Sequence, residues 1–137
     1  MAGNIRLEVV TPQKEVVSED VQIVVAPGVE GEFGVLTGHT PFMTALNVGP
    51  VRYTHVQGQE RSVFVSGGFA QALPDKVTVL AEAAERRREI DIERAKAAFE
   101  RAQKRLNEKA AGVDYLRAKM AMIRALRRIQ MAESRHR

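Results

Sequence analysis

Arginines recur at helical spacing in the last third of the chain. Arg94 and Arg101 are separated by two helical turns, and Arg117, Arg124 and Arg128 follow each other at steps of seven and four. Such steps return to the same face of a helix, so each set lies along one side. Because a guanidinium group binds phosphate through paired hydrogen bonds, the pattern predicts an anion site if the two faces converge. A solvated basic surface is the alternative that the charges alone allow.

An aspartate precedes each set of arginines. The segments "IDIERAK" (90–96) and "VDYLRAK" (113–119) share the pattern apolar-Asp-x-x-Arg-Ala-Lys, so the chain contains an internal repeat. An aspartate at a helix start accepts hydrogen bonds from free backbone N–H groups and contributes about 1 kcal/mol. Asp91 and Asp114 are therefore predicted to cap two successive helices.

These helices are predicted over about 91–108 and 113–134, and the short connection ending in Gly112 makes them an antiparallel hairpin. The predicted inward residues are Ala95, Ala98, Phe99, Ala102 and Leu106 on the first helix, and Leu116, Met120, Ile123, Leu126 and Ile129 on the second. Each alanine in place of leucine forgoes roughly 2 kcal/mol of apolar burial. The residues are nevertheless good helix formers, so we expect helices that keep their shape but dock weakly, as a movable arm.

The first part of the chain alternates with period two. The segments "NIRLEVVT", "DVQIVVAP", "VRYTHVQ", "RSVFVSG" and "KVTVLAE" are rich in β-branched residues and are separated by glycine and proline. Short strands at about ten-residue spacing are typical of an antiparallel sandwich or barrel. The predicted fold is thus an antiparallel β-sandwich over 1–85, followed by a two-helix hairpin over 86–137.

Charge divides the chain in the same place. Of its 137 residues, 1–85 hold 5 Lys and Arg against 10 Asp and Glu, whereas 86–137 hold 16 against 7. The hairpin segment therefore carries a net charge of +9 and the sandwich −5, which predicts an acidic partner for the hairpin. Cysteine is absent, and no apolar run approaches the roughly 20 residues that span a bilayer. We expect a cytoplasmic chain that meets a membrane only through a partner.

Catalytic motifs are missing from the sequence. The segment "PGVEGEFGVLTGHTP" (27–41) is rich in glycine but lacks the Gly-Lys-Ser/Thr ending of a phosphate-binding loop. His39, His55 and His136 have no metal-ligand spacing, and no Gly-x-Ser-x-Gly motif occurs. The prediction is a protein with no catalytic residues, no metal site and no required cofactor.

Three segments in order give the sequence a specific resemblance. "GEFGVLTGHTPF" (31–42), "SGGFAQALPDKVTVLAEAAER" (66–86) and "IDIERAKAAFERA" (90–102) closely resemble the epsilon subunits of bacterial F-type ATP synthases. Two departures are visible. Thr37 stands where the family usually has proline before Gly-His, which is expected to loosen one turn. Arg87 and Arg88 stand in a stretch that the family often leaves neutral or acidic.

The resemblance implies a ten-stranded β-sandwich with a C-terminal helical hairpin. It also implies a non-catalytic subunit of the central rotor stalk, which couples proton-driven rotation to ATP synthesis at the cytoplasmic face of the bacterial inner membrane. The sandwich would bind the gamma subunit and rest on the c-ring. By position, Glu32 matches the residue that faces the ring, and His39 matches one near gamma.

The resemblance gives the hairpin two further roles. Extended into the alpha/beta catalytic hexamer, it would inhibit ATP hydrolysis, with the basic residues Arg117, Arg124, Arg127 and Arg128 against an acidic segment of the beta subunit. Folded down, it would bind ATP as a regulatory ligand. The residues that match the family's ATP motif are Glu85, Asp91, Arg94, Ala95, Arg101, Arg124 and Arg128.

Two other classes of function fit a basic hairpin. A nucleic-acid binder is disfavoured because the hairpin segment has only Phe99 and Tyr115 for stacking on bases. A small ATP-sensing module that acts alone would need the same arginine face. ATP binding by the isolated chain tests that third possibility directly.

Overall fold

A computed structural model describes residues 3–108 and 114–134. Within them, the strands are β1 (Ile5–Val10), β2 (Glu15–Gly28), β3 (Gly31–Val35), β4 (Phe42–His55), β5 (Glu60–Ala72), β6 (Lys76–Leu80) and β7 (Ala84–Arg86). A 3-10 turn (Arg87–Glu89) leads to the helices α1 (Ile92–Asn107) and α2 (Tyr115–Glu133). The predicted order of a β domain followed by a helical hairpin is confirmed, and Gly112 lies outside the described residues.

The sheet closes into a ring of five strands. Its order is β1-β6-β5-β4-β2, and β2 pairs back with β1. A ring with an odd number of strands cannot alternate in direction throughout, so at least one pair must be parallel. That pair is β1 with β6, and it is the exception to the predicted antiparallel arrangement.

Two long strands, β2 and β5, change partners along their length. Along one edge, β2 pairs first with β1 and then with β3, and β5 pairs first with β7 and then with β6. Gly67 and Gly68 have φ values of 100° and 123° at the change in β5. A Cβ on Gly68 would lie 2.0 Å from the Leu80 carbonyl oxygen, so this bend requires glycine. Within the described residues the structure has seven strands, fewer than the ten predicted, because β2, β4 and β5 each continue for 13 or 14 residues.

Alternate residues of the strands fill the core. The sandwich interior is built mainly from fully buried aliphatic residues, among them Ile5, Leu7, Val9, Val63 and Val77. Full burial of one such side chain contributes about 1.5–3 kcal/mol. The interior therefore gives the sandwich a stable body of its own, as the period-two pattern predicts.

Thr37 ties Gly3 to the turn after β3. Its hydroxyl donates a hydrogen bond to the Gly3 carbonyl oxygen, which a proline at this position could not do. Gly38 has φ 83°, and the His39 N–H donates to Leu36 at 3.1 Å, as in a type II turn. The expected loosening is therefore offset by a new anchor.

The helices meet through alanine. Ala95 and Ala102 of α1 and Ala118 and Ala125 of α2 are buried where the two helices pack together. Small side chains let the two backbones approach closely. Two predicted inward residues of α2 are wrong: Leu116 is 70% exposed and Met120 is 37% exposed. Each stands two positions from Ala118, which is about 200° around the helix and so on its far side.

One end of the hairpin contacts the sandwich. Phe64 of β5, Ile90 and Met131 of α2 form a small buried cluster, against which Val48 of β4 packs. This cluster is separate from the main core, so the hairpin docks through few apolar residues. A weakly docked arm, as the composition predicts, fits this arrangement.

Candidate functional site

Both predicted helix caps are present. An Oδ1 atom of Asp91 accepts a hydrogen bond from the Arg94 N–H at 3.0 Å, and Asp114 does the same for Arg117 at 3.0 Å. The backbone angles of the two caps agree closely, at φ −83°, ψ 100° and φ −84°, ψ 100°. The repeated sequence thus forms the same local structure twice.

The two arginine faces converge on one cleft, named here the first cleft. It measures about 350 Å³ and lies between α1, α2 and the segment that follows β7. All seven residues of the predicted ATP motif line it: Glu85, Asp91, Arg94, Ala95, Arg101, Arg124 and Arg128. The remaining lining residues are Glu89, Ala98, Ala121 and Ala125. The convergence of the arginine faces inferred from spacing is therefore confirmed, while binding of an anion or of ATP in the cleft stays a prediction.

Arg128 is fixed in place at one end of the first cleft. Its Nε donates to Glu85 Oε1 at 2.6 Å, and its guanidinium lies 4.3 Å from the centroid of the Phe64 ring. Both groups are partly shielded from solvent, which strengthens the ion pair and the cation–π contact relative to exposed ones. Arg128 therefore links the hairpin to the sandwich as well as facing the cleft.

The other cleft arginines are available to a ligand. Across residues 3–108 and 114–134, the side chains of Arg94, Arg101 and Arg124 make no hydrogen bond or ion pair. Three free guanidinium groups over a cleft lined by alanine methyl groups suit a flat apolar ring with an attached polyphosphate. Asp91 and Glu89 add carboxylates that can accept hydrogen bonds from an amino group.

The four arginines predicted to contact the beta subunit do not share one open face here. Arg124 and Arg128 line the first cleft, and Arg117 lies further along the same groove. Arg127 is exposed and donates to Gln130 at 2.8 Å. In the folded hairpin, part of this basic set is therefore covered.

The predicted partner residues lie on and beside β3. Glu32 is exposed and pairs with Arg52 at 2.9 Å. The Nδ1 of His39 lies 2.7 Å from the Thr40 carbonyl oxygen, and its ring lies 5.0 Å from that of Phe42. Both residues are held in defined positions at the surface, and their partners stay a prediction.

An apolar surface on the sandwich was not predicted from the sequence motifs. Met43, Phe69 and Leu80 lie on the neighbouring strands β4, β5 and β6 and are 67%, 57% and 55% exposed. They line a shallow recess of about 290 Å³. Large apolar residues at outward positions of strands indicate a partner surface. The sequence signal for this surface is the alternation of side chains along a strand. Phe69 and Leu80 each follow or precede a buried residue of the same strand, so their own side chains point to the opposite, outer face.

Within the described ranges, neither α1 nor α2 is both long enough and apolar enough to cross a membrane. The same residues contain no group of three or more metal-binding side chains.

Comparisons with known proteins agree along the chain. Residues 4–87 match the family model of the ATP synthase delta/epsilon chain β-sandwich domain, and 88–133 match that of its long α-helix domain. The ATP synthase epsilon chain of Desulforapulum autotrophicum is 58% identical over 135 residues, covering 98% of this chain and 100% of that one. The corresponding chain of Desulfatibacillum aliphaticivorans is 60% identical over 135 residues, covering 98% and 96%.

Solved structures share the fold. A chain of the mitochondrial ATP synthase of Euglena gracilis, determined with OSCP, F1 and c-ring, superposes with a TM-score of 0.77 at 25% identity, covering 89% of this chain and 77% of that chain. A chain from the central stalk and c-ring of the Tetrahymena thermophila mitochondrial enzyme gives 0.55 at 15% identity, covering 93% and 92%, and supports the fold alone. Because both family domains match and the two bacterial relatives are more than half identical over nearly the full length, the chain belongs to the ATP synthase delta/epsilon family, among the epsilon chains.

Proposed function

We propose that the chain is a non-catalytic regulatory subunit of the central stalk of a bacterial F-type ATP synthase. The sandwich binds the gamma subunit and the c-ring, which holds the chain at the cytoplasmic face of the inner membrane. The apolar surface of Met43, Phe69 and Leu80 supports a permanent partner, because an exposed patch of this kind favours association. Glu32 and His39, which match the family's c-ring and gamma contacts by sequence position, would contribute to these interfaces.

We further propose that ATP is a regulatory ligand of the folded hairpin. The observation that carries this proposal is the single cleft lined by all seven residues of the ATP motif. Arg94, Arg101 and Arg124 would bind the phosphates and neutralise their charge, while Asp91 and Glu89 would accept hydrogen bonds from the base. No covalent step is involved, so ATP acts by stabilising the conformation that binds it.

The same arginines connect ATP binding to inhibition. Arg124 and Arg128 line the first cleft in the folded hairpin, yet both belong to the set expected to contact the beta subunit. A residue cannot bind the nucleotide and the acidic segment at once. ATP would therefore favour the folded, non-inhibitory hairpin, and loss of ATP would release the basic arm of residues 86–137.

Titration of the full chain with ATP tests the ligand. Calorimetry should give heat of binding at millimolar ATP or below. Arg94→Gln should weaken binding to the first cleft by about tenfold, as the loss of one charge-assisted contact implies, and the amide signal of Ala95, which lines this cleft, reports it. Lys96→Gln is the matched control, because Lys96 is exposed, carries the same charge and does not line the cleft. An undiminished response of the Ala95 amide to ATP in the Arg94→Gln chain would contradict the ATP site.

Truncation tests the inhibitory arm. A chain ending at Glu89 keeps all seven strands of the sandwich and should still assemble with gamma. Complexes carrying it should hydrolyse ATP faster than complexes with the full chain. If the truncated complex hydrolyses ATP no faster, the inhibitory role is wrong for this protein, while the stalk role is judged separately by whether gamma is retained.

A further inference from the structure

The internal repeat covers all of α1 and most of α2. Residues 90–107 align without gaps on 113–130, and both segments contain Asp-x-x-Arg-Ala-Lys-x-Ala-x-x-Arg-Ala-x-x-Arg. The buried alanines follow the same alignment: Ala95 corresponds to Ala118, and Ala102 to Ala125. Because α1 and α2 are antiparallel neighbours with equivalent contacts, a local two-fold axis relates them approximately.

A two-fold axis that does not pass through the first cleft should generate an equivalent cleft on the other side of the axis. A second cleft of about 500 Å³ lies in the same groove, toward the end of the hairpin formed by Glu108 and Asp114. It is lined by Ala98, Arg101, Ala102, Arg105, Glu108, Asp114, Arg117, Ala118, Ala121 and Arg124.

Every helical residue of the first cleft has its repeat counterpart in the second. Asp91 and Arg94 correspond to Asp114 and Arg117. Arg128 corresponds to Arg105. Arg101 and Arg124 are each other's counterparts in the repeat, and both residues line both clefts. The same is true of Ala98 and Ala121. Glu85, outside the helices, also has a glutamate at its repeat position, Glu108, in the second cleft.

One difference between the clefts favours ligand binding in the second. Arg128 is engaged by Glu85 and the Phe64 ring, whereas its counterpart Arg105 is exposed. Among the residues that the structure describes, the side chains of Arg101, Arg105, Arg117 and Arg124 have no hydrogen bond or ion pair. Four unpaired guanidinium groups around one groove repel each other, and a polyphosphate would relieve that repulsion.

We propose that the second cleft is a second binding site for the polyphosphate of a nucleoside triphosphate, formed by Arg101, Arg105, Arg117 and Arg124. This inference rests on the proposed ATP site in the first cleft, because it is the repeat of that site. Arg101 and Arg124 serve both clefts, and two polyanions side by side would repel. The clefts are therefore occupied in alternation, and one ATP binds per chain.

Nuclear magnetic resonance of the full chain during ATP titration can tell the clefts apart. The backbone amides of Ala95 and Ala118 report on the first and second cleft, respectively. In the wild-type chain both amides should shift as ATP is added. Arg94→Gln should weaken the response of Ala95 by about tenfold and leave that of Ala118 at least as large, because Arg94 lines only the first cleft.

The reciprocal variant uses the corresponding positions. The double substitution Arg105→Gln and Arg117→Gln should abolish the shift of Ala118 below millimolar ATP and keep that of Ala95. Lys96→Gln and Lys119→Gln are matched controls, since these exposed lysines also occupy equivalent positions of the repeat and line neither cleft. Inorganic tripolyphosphate should reproduce the Ala118 shift if the phosphates carry recognition.

The outcomes separate the two proposals. Shifts confined to Ala95 and its neighbours in every variant overturn the second site and leave the proposed function standing. Shifts confined to Ala118 overturn the proposed ATP site and support the second cleft. No shift in either cleft overturns both, and simultaneous saturation with two ATP molecules per chain overturns alternation.

Discussion

Arg87 caps the end of the helix that contains Met131. Its Nε donates to the Met131 carbonyl oxygen at 2.9 Å, and the guanidinium also reaches the carbonyl oxygens of Ala132, at 3.4 Å, and Ser134. The last carbonyls of a helix lack intrahelical partners and carry partial negative charge, so a cation there is stabilising. The departure from the family pattern at this position therefore joins the linker after β7 to the last turn of α2.

Removing this cap should loosen the folded hairpin. Arg87→Gln should destabilise the last turn of α2 by about 1–3 kcal/mol, the usual effect of losing hydrogen bonds to a charged group. Amide hydrogen exchange around Met131 should become faster by a corresponding factor. Arg88→Gln is the control, because Arg88 is exposed and lies next to Arg87 in the chain. Equal exchange in both variants would show that Arg87 contributes nothing to docking.

The Glu85–Arg128 pair should show energetic coupling. A double-mutant cycle with Glu85→Gln and Arg128→Gln should give about 0.5–3 kcal/mol in the free energy of unfolding, measured by urea denaturation. High salt should reduce the coupling only in part, because both side chains are partly buried. A coupling near zero would mean that the cation–π contact with Phe64 holds Arg128 alone.

Local features of this chain could be predicted from sequence. Each helix cap, at Asp91 and at Asp114, involves only one carboxylate and the backbone of the next helical turn. The local sequence is therefore sufficient to predict it. The convergence of Arg94 and Arg124 follows from helical spacing and a short connection. Alternation likewise places Ile5 and Val63 in the core.

Features that depend on distant packing could not be predicted in this way. Hydrophobicity predicts Leu116 on the inward face of α2, whereas close approach of the two backbones favours Ala118 there. The parallel pair of β1 and β6 follows from ring closure, which no local pattern records. Arg87 donates a hydrogen bond to the carbonyl oxygen of Met131, a residue distant in sequence. The two residues meet only when the hairpin is folded back onto the sandwich, so no local pattern predicts this contact.

The alanine interface between α1 and α2 predicts different outcomes for two substitutions in α2. Ala118→Leu should destabilise the hairpin by about 1–3 kcal/mol, because extra methylene groups would force α1 and α2 apart. Leu116→Ala should change stability by less than about 0.5 kcal/mol, since Leu116 is exposed. Circular dichroism of the helix signal during thermal unfolding measures the stability of both variants relative to the wild-type chain. A larger loss for Leu116→Ala would support the inward face predicted from sequence instead.

The apolar surface should matter for assembly and little for folding. Phe69→Ser should lower affinity for the gamma subunit by about tenfold or more, because exposed aromatic residues often dominate interface energy. Its melting temperature should stay close to that of the wild-type chain. Val56→Ser serves as the control, since Val56 is exposed in the turn between β4 and β5 and does not line the recess. Undiminished co-purification of Phe69→Ser with gamma would place the interface elsewhere.

Tyr53 gives the sandwich a pH dependence in the alkaline range. The side chain is only 3% exposed, and its hydroxyl lies 3.4 Å from Glu19 Oε1 and 3.3 Å from an Arg86 guanidinium nitrogen. Burial, and then the charge of Glu19, raise the pKa of Tyr53 above the usual 10.0, although Arg86 and Arg61 oppose the change. The folded state therefore holds the phenolic proton more tightly than the unfolded state does.

The sign of the pH effect follows from this difference. The contribution of Tyr53 is fully present below about pH 10, and it is lost as the pH rises from there through the raised pKa of the folded chain. Unfolding by urea at increasing pH should show this decline, and Tyr53→Phe should remove the part due to the phenol. Ultraviolet titration of a Tyr115→Phe chain follows the phenol of Tyr53 alone, because the sequence has two tyrosines. Ionisation of Tyr53 in the folded chain at pH 10 or below would contradict the raised pKa.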